Sequence, residues 1–239
     1  MHKFANPTRF LKISRVVLPW SAALTGLSLL VGLAWSLVYS PPDYQQGESV
    51  RIMYVHVPSA WMALFAYVFM AVGSAVALIW KHPLADLAAR AAAPLGAAFT
   101  FLCLVSGALW GKPMWGAWWV WDARLTSMLV LLFLYLGYMA LANAFDDVTR
   151  GNRAAAILCL VGVVNIPIIK FSVDWWNTLH QPASVIKAGG PALDASILGP
   201  LLVMVLGFQL LFVTLVLVRM ESGIAAAKIR ALGQRALAG

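Results

Sequence analysis

Residues 195–218, ASILGPLLVMVLGFQLLFVTLVLV, contain no charged side chain. A helix needs about 20 mainly apolar residues to cross the hydrocarbon core of a bilayer, and this stretch supplies them. Toward the N-terminus five further runs meet the same requirement, at about 19–39, 57–80, 91–110, 125–145 and 154–171. The run at 154–171 is the weakest, because it ends at Lys170 and contains Asn165 and Pro167. We expect it to kink and Lys170 to snorkel toward a headgroup. Of the 239 residues 62% are hydrophobic and only 11% charged, far from a soluble composition. No run alternates over about ten residues as closed-barrel strands would. The expected fold is therefore all-α, an integral membrane bundle of six transmembrane helices. It is read as one polytopic domain over 1–239, without internal repeat or soluble module.

The net charge of +8 invites a nucleic-acid reading, but the basic residues stand at the ends of apolar runs rather than on one surface. No nucleic-acid partner is expected; the partner of most of the surface is the lipid bilayer. The charges serve better to orient the chain. With the N-terminus in the cytoplasm, Lys3, Arg9, Lys12, Arg15, Lys81, Arg90, Arg150, Arg153, Arg219, Lys228, Arg230 and Arg235 lie inside. Only Arg51, Lys112, Arg124, Lys170 and Lys187 lie outside, and both termini are cytoplasmic. The first apolar run lacks a small-residue cleavage site before Pro41 and Pro42, so it reads as a retained span and not a signal peptide. Cys103 and Cys159 fall well inside spans and form neither a CxxC pair nor a CxxCH haem-attachment site, so both read as small packing residues.

This topology leaves three outer loops, at 40–56, 111–124 and 172–194, joined by short inner connections. His2 and His82 fall inside, His56 and His180 outside. His56 sits in YVHVPSAW, where Pro58 is taken to mark the first turn of a helix, and His180 follows Trp175 and Trp176 in VDWWNTLHQP. Between them in sequence lies WGKPMWGAWWVWDARLT, residues 110–126, holding five of the chain's eleven tryptophans. An interfacial aromatic belt accounts for Trp20, Trp35, Trp61 and Trp80. It accounts poorly for five tryptophans interrupted by Gly111, Pro113 and Gly116, which predict a shaped loop over 110–124, with or without a short interfacial helix at about 116–122. In such a helix Trp115, Trp118, Trp119 and Trp121 form one apolar face.

Two histidines flanking an aromatic platform are what a metalloporphyrin requires: imidazoles for iron, aromatic surface for the macrocycle and cations for the propionates. A bare zinc ion fits less well, for want of a third and fourth ligand. Asp122 reads first as the N-cap of the span that follows. Arg124, a cation in the first turn of a helix, opposes the macrodipole and calls for an anion, either Asp122 or a propionate. Arg51, five residues before His56, is the second candidate for a propionate. Asp43, Glu48, Asp174 and Asp194 read as solvated loop charges.

The pattern WGxxWxWD, here Trp115, Gly116, Trp119, Trp121 and Asp122, resembles the WWD signature of the haem-handling membrane proteins of cytochrome c biogenesis. With YQQGESVRIMYVHVPSAW and NIPIIKFSVDWWNTLHQP, the chain is most similar to their CcmC branch, over about residues 15–219. The resemblance departs only at the termini and at 181–195. It implies a bacterial inner-membrane protein that holds haem b, non-covalently and transiently, at the periplasmic face. His56 and His180 take the axial positions on iron, and the haem is presented on the WWD loop. It further implies promotion of haem attachment to a histidine of the haem chaperone CcmE, alongside the ABC-transporter subunits CcmA and CcmB and the small membrane protein CcmD. That role is lyase-like but lacks an evident acid–base residue on this chain; holding two partners in one geometry supplies effective molarity instead. The rival is a permease for haem or another amphipathic solute, although the spans carry few of the mid-membrane polar groups that transporters use. A purely structural transporter subunit is a third reading; no Walker motif occurs, so ATP hydrolysis would belong to a partner. The large WWD haem lyases are longer and carry more histidines.

Overall fold

The computed structural model describes residues 5–180, 185 and 189–238; His2, Lys3 and Lys187, assigned to sides of the membrane above, lie outside these. Among the described residues there is no strand, only an isolated bridge between Asp43 and Gly47. The helices are α1 (Pro7–Ala34), α2 (Met53–Trp80), α3 (Pro83–Trp115), α4 (Ala123–Asn143), α5 (Val148–Gly162), α6 (Asn165–Trp175) and α7 (Ala195–Ala238). With α5 and α6 taken as one crossing, six helical segments among the described residues are long and apolar enough to span a membrane. Each reverses the direction of the one before. Asn152 on α5 meets Asp86 and Arg90 on α3, Arg219 on α7 meets Ala91 O, and α1 runs antiparallel along α7. This gathers Arg9, Lys12, Arg15, Lys81, Arg90, Arg150, Arg153 and the end of α7 at one end of the bundle, and His56 and His180, which line one cavity, at the other.

The helices overrun the apolar runs, because helical hydrogen bonding continues wherever caps permit. Asn6 caps α1 by accepting from the Thr8 and Arg9 amides, with Pro7 at the first helical position, so the helix starts twelve residues before the expected span. His82 does the same for α3, its Nδ1 accepting from Ala85 N, which gives this inner histidine a capping role. A short 3₁₀ turn, Glu48–Ile52, leads directly into α2. Pro58 is thus inside the helix rather than in its first turn, and His56 occupies the first turn instead.

Two differences shape the end that carries the histidines. α3 runs through Trp110 and Pro113 to Trp115, and stops where Gly116 adopts φ +75° and donates its N–H to Lys112 O. This left-handed cap suits glycine. The loop expected at 110–124 therefore shrinks to 116–122, and those residues are irregular rather than an interfacial helix. The expected kink in the fifth crossing is present as a break at 163–164, where Pro167 has no N–H to return to the preceding turn. Across it, Asn165 Nδ2 donates to Ser127 O at 2.9 Å, tying α6 to α4.

Small residues let the backbones approach, as expected where lipid supplies no hydrophobic drive between helices. Ala63, Ala66, Ala89, Ala92 and Ala93 are buried between α2 and α3, and a Cβ on Gly73 would stand 3.0 Å from Ala85 O. The centre is filled by Tyr67, Tyr135 and Tyr138. Tyr135 donates to Ala63 O at 2.7 Å and lies against Gly96, where a Cβ would fall 2.2 Å from its ring. α1 packs on α7, joined by Thr25 and Thr214 at 3.2 Å. Gly96→Ala is therefore expected to cost about 1–3 kcal/mol by overpacking and to lower the melting midpoint in detergent. Adding Tyr135→Leu should return part of the loss; an unchanged midpoint for the single variant would contradict this packing.

Candidate functional site

At the histidine-bearing end, α2, α3, α4 and α6 enclose a cavity of about 380 Å³, within the size range of small-molecule pockets. Both His56 and His180 line it, with Trp110, Trp115, Trp119 and Arg124. The cavity walls follow helical periodicity: Met53, His56, Val57, Ala60 and Leu64 on α2, and Cys103, Gly107, Trp110, Gly111 and Met114 on α3.

His56 is fixed by α3. Its Nδ1 lies 3.0 Å from Cys103 O and 3.1 Å from Ser106 Oγ, and its ring meets Trp110 edge-on with centroids 5.6 Å apart. A carbonyl can only accept, so Nδ1 carries the proton and Nε2 keeps its lone pair. Gly107 makes room: a Cβ there would stand 2.9 Å from the imidazole Cε1. Trp110 is itself held, its Nε1 donating to Gln46 Oε1 at 3.0 Å.

His180 is fixed by side chains. Asp122 caps α4 through Oδ1, which accepts from Leu125 N at 2.7 Å, as expected. It does more than cap, because Oδ2 also accepts from the Thr178 hydroxyl and faces His180 Nδ1 at 3.5 Å. Thr178 Oγ1 in turn accepts from the His180 amide at 3.2 Å. The His180 ring meets Trp115 edge-on at 4.9 Å. Burial disfavours the Asp122 carboxylate, but the Leu125 amide, Thr178 and His180 more than offset this and hold its pKa below the ordinary value. Burial pushes the pKa of His180 down, with Asp122 opposing and Arg124 adding to the shift. A neutral imidazole whose Nδ1–H faces a carboxylate again leaves Nε2 as the free donor atom.

The tryptophans divide. Trp115 and Trp119 line the cavity, and Trp119 Nε1 is a buried donor without a protein partner. Trp118 and Trp121 are 56% and 75% exposed and face away, so the four do not form one face. An irregular chain at 116–122 sends successive rings to different sides, as the interfacial helix would not. Lys112 sits over Trp118, 6.0 Å from the ring centroid.

The arginines also separate. Arg124 lines the cavity; its Nε donates to Ser172 Oγ at 3.0 Å and its Nη2 to Ile169 O and Lys170 O at 3.2 and 3.3 Å, while the carboxylates of Asp122 and Asp174 compensate its charge. Those carbonyls lie near the middle of α6. Nη1 is the nitrogen these bonds leave over. Arg51 is not brought to the cavity: it pairs with Glu48 at 2.5 Å and donates to Ser36 O at 2.7 Å, which fastens the 3₁₀ turn to the π-helical turn Trp35–Tyr39 that follows α1. Glu48 is thereby paired, and Asp43 accepts from the Gln45 and Gln46 amides in a tight turn.

Sequence reasoning missed Ser106 and Thr178, and it missed that Gly107, Lys170 and Asp174, together with Asp43 and Trp61, line the cavity. A polar or small stripe at Cys103, Ser106, Gly107 and Trp110, spaced i, i+3, i+4, i+7, was the available signal for Ser106 and Gly107. Nothing in sequence places Thr178 beside Asp122. Among the described residues no group of three or more His, Cys, Asp or Glu stands where it could hold a metal ion.

The sequence profile of the family described as Heme exporter protein C, CcmC, matches residues 1–235. The chain belongs to this family. Relatives named Heme exporter protein C include one from Bradyrhizobium diazoefficiens, 59% identical over 228 residues, covering 95% of this chain and 86% of its own length. That of Haemophilus influenzae is 52% identical over 92% of this chain and 89% of its own. That of Escherichia coli K12 is 50% identical over 93% of this chain and 89% of its own.

Thr178→Val removes two hydrogen bonds that hold the 176–180 segment, each worth about 1 kcal/mol. Amide exchange in that segment should quicken by roughly tenfold or more, with α2 and α3 unchanged. Equal exchange in both proteins would show that the bracket carries no load.

Proposed function

We propose that this protein binds haem in the cavity shared by His56 and His180 and presents it for transfer during c-type cytochrome maturation. The observation that carries the reading is two imidazoles on one cavity, each with Nδ1 engaged and Nε2 free, with no further protein ligand among the described residues. A bare ion would need about four protein donors, whereas a porphyrin brings four nitrogens of its own and asks the protein for the two axial ones. The remaining surroundings suit such a cargo. Trp115 and Trp119 offer aromatic wall, and the unpartnered Trp119 Nε1 and the Arg124 guanidinium offer donors for carboxylates. Arg51, turned to Glu48 and Ser36, has no part in this.

The haem supplies the reactive vinyl group; the protein's residues hold, orient and shield it. Its receiver is the chaperone CcmE, with CcmA, CcmB and CcmD as companions in the membrane. The site faces the periplasm of a bacterial inner membrane, with both chain ends in the cytoplasm, an orientation supported by the basic residues gathered at the opposite end. Trp118 and Trp121, exposed beside the cavity, are the surface offered to the receiver.

Protein purified with haem should show an absorption band that His56→Ala combined with His180→Ala abolishes. A band of unchanged position and intensity would rule out these ligands. Trp118→Ala with Trp121→Ala should leave the band in place and prevent covalent loading of the chaperone. If haem still reaches the chaperone when the partner ATPase is inactive, presentation and not pumping is the function; loss of loading would favour the permease.

A further inference from the structure

The two imidazoles are held in unlike ways. His56 stands on α2 and its Nδ1 is fixed by the backbone of α3, two helices with extensive mutual packing. His180 lies beyond the end of α6, in a segment without regular structure, so no helix sets its ring. What reaches it is Asp122, through three contacts that converge on one carboxylate: the Leu125 amide, the Thr178 hydroxyl and His180 Nδ1. The 3.5 Å to Nδ1 is long for a hydrogen bond, and Thr178 is the tighter leg of the bracket, bonded both to Asp122 and to the His180 amide. The carboxylate is 6% exposed and the imidazole 20%, so water competes little for either.

We propose that Asp122 is the positioning residue for His180: by holding Nδ1–H and the Thr178 turn, it aims Nε2 into the cavity and makes this imidazole the more electron-donating of the two. Asp122 is thus more than a cap, and a substitution can separate the roles. Asparagine is as good an N-cap as aspartate, so Asp122→Asn retains the bond from Leu125 N while replacing an anion by a neutral amide at Nδ1. Carboxylate partners behind a ligating histidine fix its tautomer and raise its basicity, and losing one typically costs 10–100-fold in affinity.

The inference rests on the haem reading above, and its test separates the two. The full-length protein in detergent is loaded with ferric haemin and titrated with imidazole, and the midpoint potential of the bound haem is measured. Asp122→Asn should need about tenfold less imidazole to displace the protein ligand, and its potential should rise because an anionic partner no longer favours the ferric state. Ser106→Ala, which of the two imidazoles touches only His56, should move both readings less. Thr178→Val, which leaves the cap intact, should shift the imidazole titration in the same direction as Asp122→Asn and serves if the asparagine variant does not fold. Wild-type titration and potential in Asp122→Asn, or a larger shift in Ser106→Ala, would overturn the positioning role while the haem reading stands. Haemin that does not bind, or binds equally well to the double histidine variant, would overturn both.

Discussion

In hydrocarbon a backbone N–H or C=O without a partner costs several kcal/mol, so a chain crossing a bilayer must satisfy itself as helix. Irregular backbone survives only at the ends of the bundle or where protein covers it. The architecture follows from that constraint. The left-handed stop at Gly116, the break at 163–164 and the irregular stretch after Trp175 all lie at or toward one end, and between them they shape the cavity. The other end has its own part-buried polar cluster, Asn152 bridging Asp86 and Arg90 at 2.5 Å each, which locks α3 to α5.

The same constraint explains why the two histidines need different supports. A residue on a membrane helix borrows precision from its neighbours: His56 finds a carbonyl on α3 at a fixed height and a glycine that leaves space for its ring. A residue beyond a helix end has no such frame, and must be held by side chains. Asp122 serves because α4 begins beside the end of α6, and a capping carboxylate has a second oxygen to spare. Arg124, two residues further on, closes the same junction from inside by gripping α6 carbonyls. The junction of α4 and α6 is therefore both a structural seam and one wall of the site.

A transporter reading would require polar groups along a path through the bundle. The buried tyrosines come nearest, yet Tyr135 is spent on Ala63 O and packed against Gly96, where not even a methyl group would fit. The core at that level is a close-packed joint between α2, α3 and α4.

Sequence alone determined the number of crossings, the end at which the histidines gather, the division of basic residues between ends, the kink before Pro167 and the capping role of Asp122. Each of these depends on local properties: apolar run length, charge placement, the missing N–H of proline, and the oxygen of a cap residue one turn from its amide. Tertiary structure decided what those residues do together. It turned Arg51 away toward Glu48 and Ser36, separated Trp115 and Trp119, which line the cavity, from the exposed Trp118 and Trp121, and placed Thr178 against Asp122 across more than fifty residues of chain. No local rule reaches that far, because which side chains meet at the end of a bundle depends on how long each helix continues past the membrane. That length is set by caps and by packing against the other helices, not by hydropathy.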